Sequence, residues 1–209
     1  MARRRITKRL MDVTVAGVLL VLLSPLMAVI ALAIVLTSGR PVLFRQLRPG
    51  LHGEPFLLCK FRTMRPPAPG EQLWTTDEIR STRVGRFLRR TSLDELPELF
   101  QVVTGRMSLV GPRPLVMDYL PRYSARHARR HEVRPGITGL AQVSGRRSLT
   151  LGQRLDLDVE YVENWSLPLD LAILVRTLAE PFRRGEIRGQ SLEEIDDVGL
   201  LVPMLERVE

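Results

Sequence analysis

Between Asp12 and Arg40 the chain carries no charged side chain. The run Val13 to Thr37 is about 25 residues long, and at about 1.5 Å per residue a helix over it reaches roughly 37 Å, enough to cross a bilayer. A segment this apolar must be covered by lipid or by protein. It is too long for a signal peptide, and no small-residue cleavage site follows it. Ser24-Pro25 falls at its middle. Proline removes a backbone donor and crowds the preceding turn, so a break is expected there, with the Ser24 hydroxyl able to bond a carbonyl that the proline frees. Both flanks are positive: Arg3, Arg4, Arg5, Lys8 and Arg9 before, Arg40, Arg45 and Arg48 after. Lys and Arg prefer the cytoplasmic side, and a straight span would place one cluster outside. A helix broken at Ser24-Pro25 enters and leaves by one face, so the expected topology is re-entrant. A true span is the second reading and a buried soluble helix the third.

The remainder fits one globular domain: of 209 residues, 44% are hydrophobic and 26% charged. Net charge is +8, which favours an anionic partner: nucleic acid, an acidic membrane surface or a phosphorylated substrate. A single cysteine, Cys59, excludes an internal disulfide and a cysteine-based zinc cluster. Three regions follow: a basic N-terminus with the membrane helix (1–40), a globular domain (41–190) and an acidic tail (191–209).

Pro41–Gln46 and Pro55–Met64 read as strands of a hairpin, with Lys60 and Arg62 projecting to one face and Phe61 to the other. Pro66–Gly70 is a loop, and Asp77–Arg90 reads as a helix. Ser92 and Glu95 then match a capping box at the start of a helix that Gly105 ends. That places Asp94 and Glu95 side by side in a first turn, at the positive end of the helix dipole, with Arg83, Arg86, Arg89 and Arg90 just upstream. Two carboxylates and several arginines suit phosphate chemistry: one acid can hold a divalent cation while the other attacks phosphorus. An ordinary capped helix with acids in its first turn explains the same residues.

Downstream, Met107–Pro114 reads as a rigid loop that presents Arg113 between two prolines. Tyr119–Glu132 reads as a basic helix with His127 and His131 one turn apart. That is metal-ligand spacing, but it lacks the intervening glutamate of metalloproteases, so a solvated face is favoured. Arg134–Leu140 and Ser144–Arg147 form a glycine-rich basic region whose backbone could approach a ligand closely. Neither a Walker phosphate loop nor a dinucleotide glycine fingerprint occurs. Leu155–Asn164 reads as a helix. The stripe Leu167, Leu171, Leu174, Leu178 suits either a membrane interface or the domain core. The fold class expected is α+β and mainly helical: a re-entrant helix-break-helix, a small β-hairpin, and interfacial amphipathic helices around a compact catalytic domain.

In order along the chain stand Lys60-Phe61-Arg62-Thr63-Met64, Ser92 to Leu99, Ser108 to Pro114, Val133 to Gly139 with Gln142 to Arg146, and Tyr161 to Ser166. Together with Ser24-Pro25 these blocks resemble the bacterial sugar transferases, the polyprenyl-phosphate phosphoglycosyl transferases, and specifically their small monotopic branch. The resemblance covers residues 8 to about 180. It implies that Asp94 attacks the β-phosphate of a UDP-sugar, that nucleoside monophosphate leaves, and that polyprenyl phosphate takes the phosphosugar from the enzyme. It further implies Glu95 as the residue that helps bind Mg²⁺. Lys60, Arg62, Arg89, Arg113, Arg134, Arg146 and Asp158 are implied to bind substrate, and Ser24 and Pro25 to form the membrane helix break. The implied location is the cytoplasmic face of the bacterial inner membrane, among membrane lipids, with no nucleic acid partner. The sugar, the glycan pathway and the oligomeric state are not fixed by the sequence. An alternative from another class is a membrane-tethered basic adaptor that binds nucleic acid or acidic lipid without catalysis.

Overall fold

The computed structural model describes residues 2–66, 80–145 and 149–179, with Val198, and describes side chains from Ile6 onward. The chain divides into two compact units, one made of residues 1–46 and 57–105, the other of 47–56 and 106–209.

The first unit holds α1 (Ala2–Ser38), most of a two-stranded sheet of β1 (Leu43–Pro49) and β2 (Pro55–Phe61), α2 (Arg83–Thr91) and α3 (Glu98–Val103). A 3-10 turn, Leu93–Glu95, lies between α2 and α3. α1 is a single 37-residue helix with Pro25 inside it, so the expected helix-break-helix is, in secondary structure, uninterrupted. The reason is local. Pro25 cannot donate to the Val21 carbonyl one turn back, and Ser24 Oγ donates to that carbonyl instead, at 2.8 Å.

α1 attaches to its unit near both ends. Arg9 donates to the carbonyls of Val102 (2.5 Å) and Val103 (2.9 Å), among the last carbonyls of α3, which have no partner within the helix. Asp12 and Ala16 are buried on the same stretch, and Lys8 lies 4.0 Å from Asp12. Further along, Ile30 and Ile34 join Phe61 and Leu88 in a core cluster. Between Ala16 and Ile30 no residue is buried, and Val18, Val21, Leu22 and Val29 are exposed. A soluble core helix would show the opposite pattern, which removes that reading.

α2 starts later than expected because Thr82 caps it, its side chain accepting from Gly85 N at 2.9 Å. Residues 77–79 of the expected helix lie outside the described residues. A Cβ on Gly85 would stand 1.9 Å from the Thr63 carbonyl oxygen, so only glycine lets α2 lie against the chain that follows β2.

The second unit contains β3 (Ser108–Val110), a 3-10 turn (Met117–Arg122), α4 (Ala125–Ala128), a further 3-10 turn (Arg129–Glu132), β4 (Gly136–Thr138), α5 (Leu140–Ser144), α6 (Leu151–Asn164) and α7 (Leu167–Ala179). β3 and β4 pair in parallel, Ser108 opposite Gly136 and Val110 opposite Thr138. In the sequence the first reads as part of a rigid loop and the second as part of a glycine-rich basic region, since three residues are too few for an alternating pattern. The expected helix Tyr119–Glu132 is instead three short pieces. Pro121 lies in the first, and Ser124 starts the second by accepting from His127 N at 3.1 Å. α6 begins four residues earlier than expected, at a capping box formed by Thr150 and Gln153.

The core of this unit gathers Tyr119, Leu151 and Leu155. Asp170 is fully buried: its carboxylate lies 2.7 Å from the Tyr161 hydroxyl and accepts from Trp165 Nε1 at 3.1 Å, tying α7 to α6. On α7 Ile173 is buried, Leu167 and Leu174 of the expected stripe are half-buried, and Leu171, Leu178 and the adjoining Val175 are exposed, so the stripe lies between core and surface with part of it facing outward. The chain is thus mainly helical with two small sheets and one long apolar N-terminal helix.

Candidate active site

In the first unit the carboxylates sit in a tighter turn than the sequence suggests. Ser92 adopts the left-handed conformation (φ 57°) and ends α2, with its N–H bonded back to Arg89. A capping residue needs an extended backbone, so Ser92 caps nothing with its side chain and the expected capping box is not formed. Asp94 and Glu95 instead occupy the 3-10 turn Leu93–Glu95, and α3 begins only at Glu98, after Pro97. Asp94 is 5% exposed, Glu95 is half-buried, and Glu98 is 3% exposed.

The cations called from the sequence in this unit divide by task. Arg89 Nε donates to Thr63 Oγ1 at 2.9 Å, which fixes its guanidinium just upstream of the turn that holds the acids. Lys60 Nζ lies over the Phe44 ring at 5.9 Å. Arg62 is buried and closes the end of α1, donating to the carbonyls of Ser38, of Gly39 (2.6 Å) and of Arg40 (3.2 Å). Thr63, which no sequence argument singled out, links two of these features: its hydroxyl holds Arg89 and its carbonyl accepts from Thr82 N.

In the second unit a small cavity of about 10 Å³, room for one water, is lined by Arg113 and lies near the remaining described candidates. Four prolines, Pro49, Pro112, Pro114 and Pro135, form its apolar walls, and Arg113, Arg130 and His131 supply its polar ones. Arg113 is exposed, as two flanking prolines predict, and its carbonyl accepts from Arg130 Nη2 at 2.6 Å. Arg134 sits between two lining residues, Val133 and Pro135. Asp158 is 3% exposed and reaches the pocket through Arg130, its Oδ2 accepting from Nε (3.1 Å) and Nη2 (2.6 Å). Nη1 of Arg130 donates to the Tyr123 hydroxyl at 3.0 Å, so every arm of this guanidinium is committed inside the fold. Burial works against the Arg130 charge, but the Asp158 carboxylate and Tyr123 outweigh it and hold its pKa above the ordinary value. Arg146 lies outside the described residues.

Two glycines here are required by the fold itself. A Cβ on Gly136 would stand 2.1 Å from Gly111 N, and one on Gly139 would stand 2.2 Å from Gly111 O. The loops around Arg113 and Arg134 therefore press backbone to backbone, which gives Gly136 and Gly139 a packing role whatever binds nearby.

His131 is the residue the sequence misjudged most. Helical spacing put it on a solvated face, yet it is 8% exposed, because the helix it was placed on is broken and its ring turns inward beside Tyr123, at 5.6 Å between centroids. Burial, and then the Arg130 charge, lower its pKa to about 4. His127 bonds Asp156 at 3.2 Å instead of joining it in a metal pair. Among the described residues no group of three or more His, Cys, Asp and Glu side chains is arranged to hold a metal.

The profile of the bacterial sugar transferases matches residues 3–184. The chain belongs to that family. Among the relatives of this sugar transferase, the Bacillus subtilis "Uncharacterized sugar transferase EpsL" is 51% identical over 173 residues, covering 83% of this chain and 86% of its own. A Caulobacter vibrioides UDP-glucose:undecaprenyl-phosphate glucose-1-phosphate transferase is 48% identical, covering 82% of this chain and 68% of its own. A Klebsiella pneumoniae protein of the same name is 43% identical over 84% of this chain but only 40% of its own length. The sugar transferase described here is accordingly an enzyme.

Proposed function

We propose that this sugar transferase moves a sugar phosphate from a UDP-sugar to polyprenyl phosphate, giving a polyprenyl diphosphate sugar and UMP. The observation that carries the reading is the turn Leu93–Glu95, where buried Asp94 stands beside half-buried Glu95, downstream of an Arg89 locked by Thr63. Asp94 Oδ attacks the β-phosphorus of the donor, and the bond from that phosphorus to the bridging oxygen breaks. UMP leaves with the electron pair, and the phosphosugar stays on Asp94 as an acyl phosphate. A phosphate oxygen of the lipid then attacks the same phosphorus and frees the carboxylate. Arg89 offers fixed positive charge to the diphosphate, with Lys60, Arg113, Arg134 and Arg146 as further phosphate and nucleotide contacts.

Mg²⁺ fits this donor set. The cation is commonly held by one or two carboxylates plus substrate phosphate oxygens rather than by a protein cage, and an adjacent Asp-Glu pair, with no cluster of three or more ligating side chains among the described residues, matches that habit. Glu95 would hold it; when bound it neutralises the diphosphate and eases departure of UMP.

The proposed location is the cytoplasmic face of the inner membrane, with α1 entering and leaving by the same face. Support comes from the attachment of α1 to one unit at Arg9 and again at Ile30, Ile34 and Ser38, while the stretch between is exposed and apolar. The outward stripe Leu171, Val175, Leu178 suits the interface. Such placement lets a water-borne donor and a lipid-borne acceptor meet without either leaving its solvent. The first membrane step of a bacterial surface glycan is the role that follows.

The test is UMP release from a UDP-sugar by the full chain in nanodiscs. Release should require both polyprenyl phosphate and Mg²⁺, and without lipid a labelled phosphosugar should remain on the protein. Asp94→Asn should abolish both signals. Full turnover by that variant would refute the nucleophile.

A further inference from the structure

In the first unit the exposed guanidinium of Arg89 hangs on a buried hydroxyl. Thr63 is 4% exposed, and its Oγ1 accepts from Arg89 Nε at 2.9 Å. The backbone that carries this hydroxyl is pinned along its length. Arg62 N donates to the Val42 carbonyl at 2.8 Å, and the Arg62 side chain grips the end of α1. The Thr63 carbonyl accepts from Thr82 N at 3.1 Å and lies against Gly85, where any Cβ would collide with it. Met64 bridges to Ser81 one residue further on. Oγ1 is therefore an acceptor whose place is set by the fold and not by Arg89.

That bond decides which N–H groups of Arg89 remain for a ligand. A guanidinium can meet an anion side-on, through Nε and one Nη, or end-on, through Nη1 and Nη2. Nε is committed to Thr63, which closes the side-on approach. Among the described residues Nη1 and Nη2 donate to no protein group, and the side chain is exposed. An arginine free of any such tether samples many rotamers in water. This one offers a single face, just upstream of the turn that holds Asp94.

We propose that Thr63 is a positioning residue for the donor: its hydroxyl holds Arg89 so that Nη1 and Nη2 take two oxygens of the diphosphate end-on. The inference rests on the UDP-sugar reading above and adds to it a residue that touches no substrate. Fixing the arginine beforehand removes the ordering of a long side chain from the binding step, worth about three- to tenfold in affinity. The hydroxyl is the group required. Thr63→Val keeps the branched shape and removes the acceptor, whereas Thr63→Ser keeps the acceptor and drops only a methyl group.

The test measures UDP binding to the full chain in nanodiscs with Mg²⁺ present. Thr63→Val should weaken UDP binding about three- to tenfold, and Thr63→Ser by less than about twofold. In an Arg89→Ala background Thr63→Val should change the affinity by less than about twofold, because the effect runs through Arg89. Damage to the fold alone would not disappear with Arg89, nor would Thr63→Ser repair it. A second readout needs no variant. The Arg89 Nε–H should exchange with solvent at least about tenfold more slowly than the Nε–H groups of Arg83 and Arg90, which are exposed on the same helix. Equal UDP affinities in Thr63→Val and Thr63→Ser, a Thr63→Val effect undiminished in Arg89→Ala, or an Arg89 Nε–H that exchanges as fast as the other two overturns the inference. Any of these with UDP still bound leaves the donor assignment standing. If UDP does not bind the unsubstituted chain at all, the donor assignment falls and takes this inference with it.

Discussion

Replacing Arg130 by Met should destabilise the second unit more than any single loss on its surface. Arg130 and Asp158 are 2% and 3% exposed, so removing the cation strands a carboxylate that water does not reach. Breaking a buried pair from one side costs about 3–5 kcal/mol. The Tyr123 hydroxyl and the Arg113 carbonyl also lose their donor, each worth roughly 1 kcal/mol even where water partly replaces it. The expected total is about 5 kcal/mol, which for a chain of this size lowers Tm by roughly 10–20 °C. Arg130→Met combined with Asp158→Leu removes both charges and should recover about 3 kcal/mol, because no charge is then left buried without a partner. The assay is thermal unfolding in nanodiscs followed by Trp165 fluorescence, in a Trp74→Phe background. Trp165 donates to Asp170 within the same unit, so its emission reports loss of that packing. If the double variant unfolds no later than Arg130→Met alone, the two residues are not coupled and the reasoning fails.

Two further outcomes follow from geometry and charge. Gly85→Ala would force a Cβ onto the Thr63 carbonyl at 1.9 Å, pushing α2 from the chain after β2 and loosening the Arg89–Thr63 bond. UMP release should fall at least about tenfold and stability by about 1–3 kcal/mol, and a variant with unchanged turnover would show that Arg89 need not be held. His131, with its folded pKa lowered to about 4, leaves the unfolded chain binding more protons between pH 4 and 6.5. Stability should therefore drop as pH falls through that window, by about 3 kcal/mol in all. Urea unfolding from pH 7 to 4 should show that loss in the unsubstituted protein and a smaller one in His131→Phe, whereas parallel curves would contradict the burial argument.

The sequence exposed this fold unevenly, and the pattern has physical causes. Long periodic segments were readable: α1 and α7 cover the apolar runs that marked them, α6 begins four residues early but ends where expected, and the hydroxyl of Ser24 does bond the carbonyl that Pro25 frees, although the helix is not interrupted there. Short elements were not, because three-residue strands such as Ser108–Val110 and Gly136–Thr138 are stabilised by each other and not by local propensity. Ser92 misled for a related reason. The same residues that spell a capping box also permit a left-handed helix end, and the preceding helix decided between them. At the site, arginine and carboxylate types were visible, but their tasks were not. Arg62 spends its donors on the end of α1, and Asp158 acts through Arg130, partnerships that span 22 to 28 residues of chain. Two signals were available and unused: an acid, Asp170, inside an apolar stripe, and glycines recurring in two segments that must press together.

Ile30 and Ile34 belong to the same cluster as Phe61 and Leu88, so the greasy N-terminal helix doubles as scaffolding for the chain that carries Arg89 and the acidic turn. Trimming it to obtain a water-soluble enzyme would remove part of the interior on which that chain rests, along with the anchor. Purification of an active form therefore has to keep the helix and supply it with detergent or lipid.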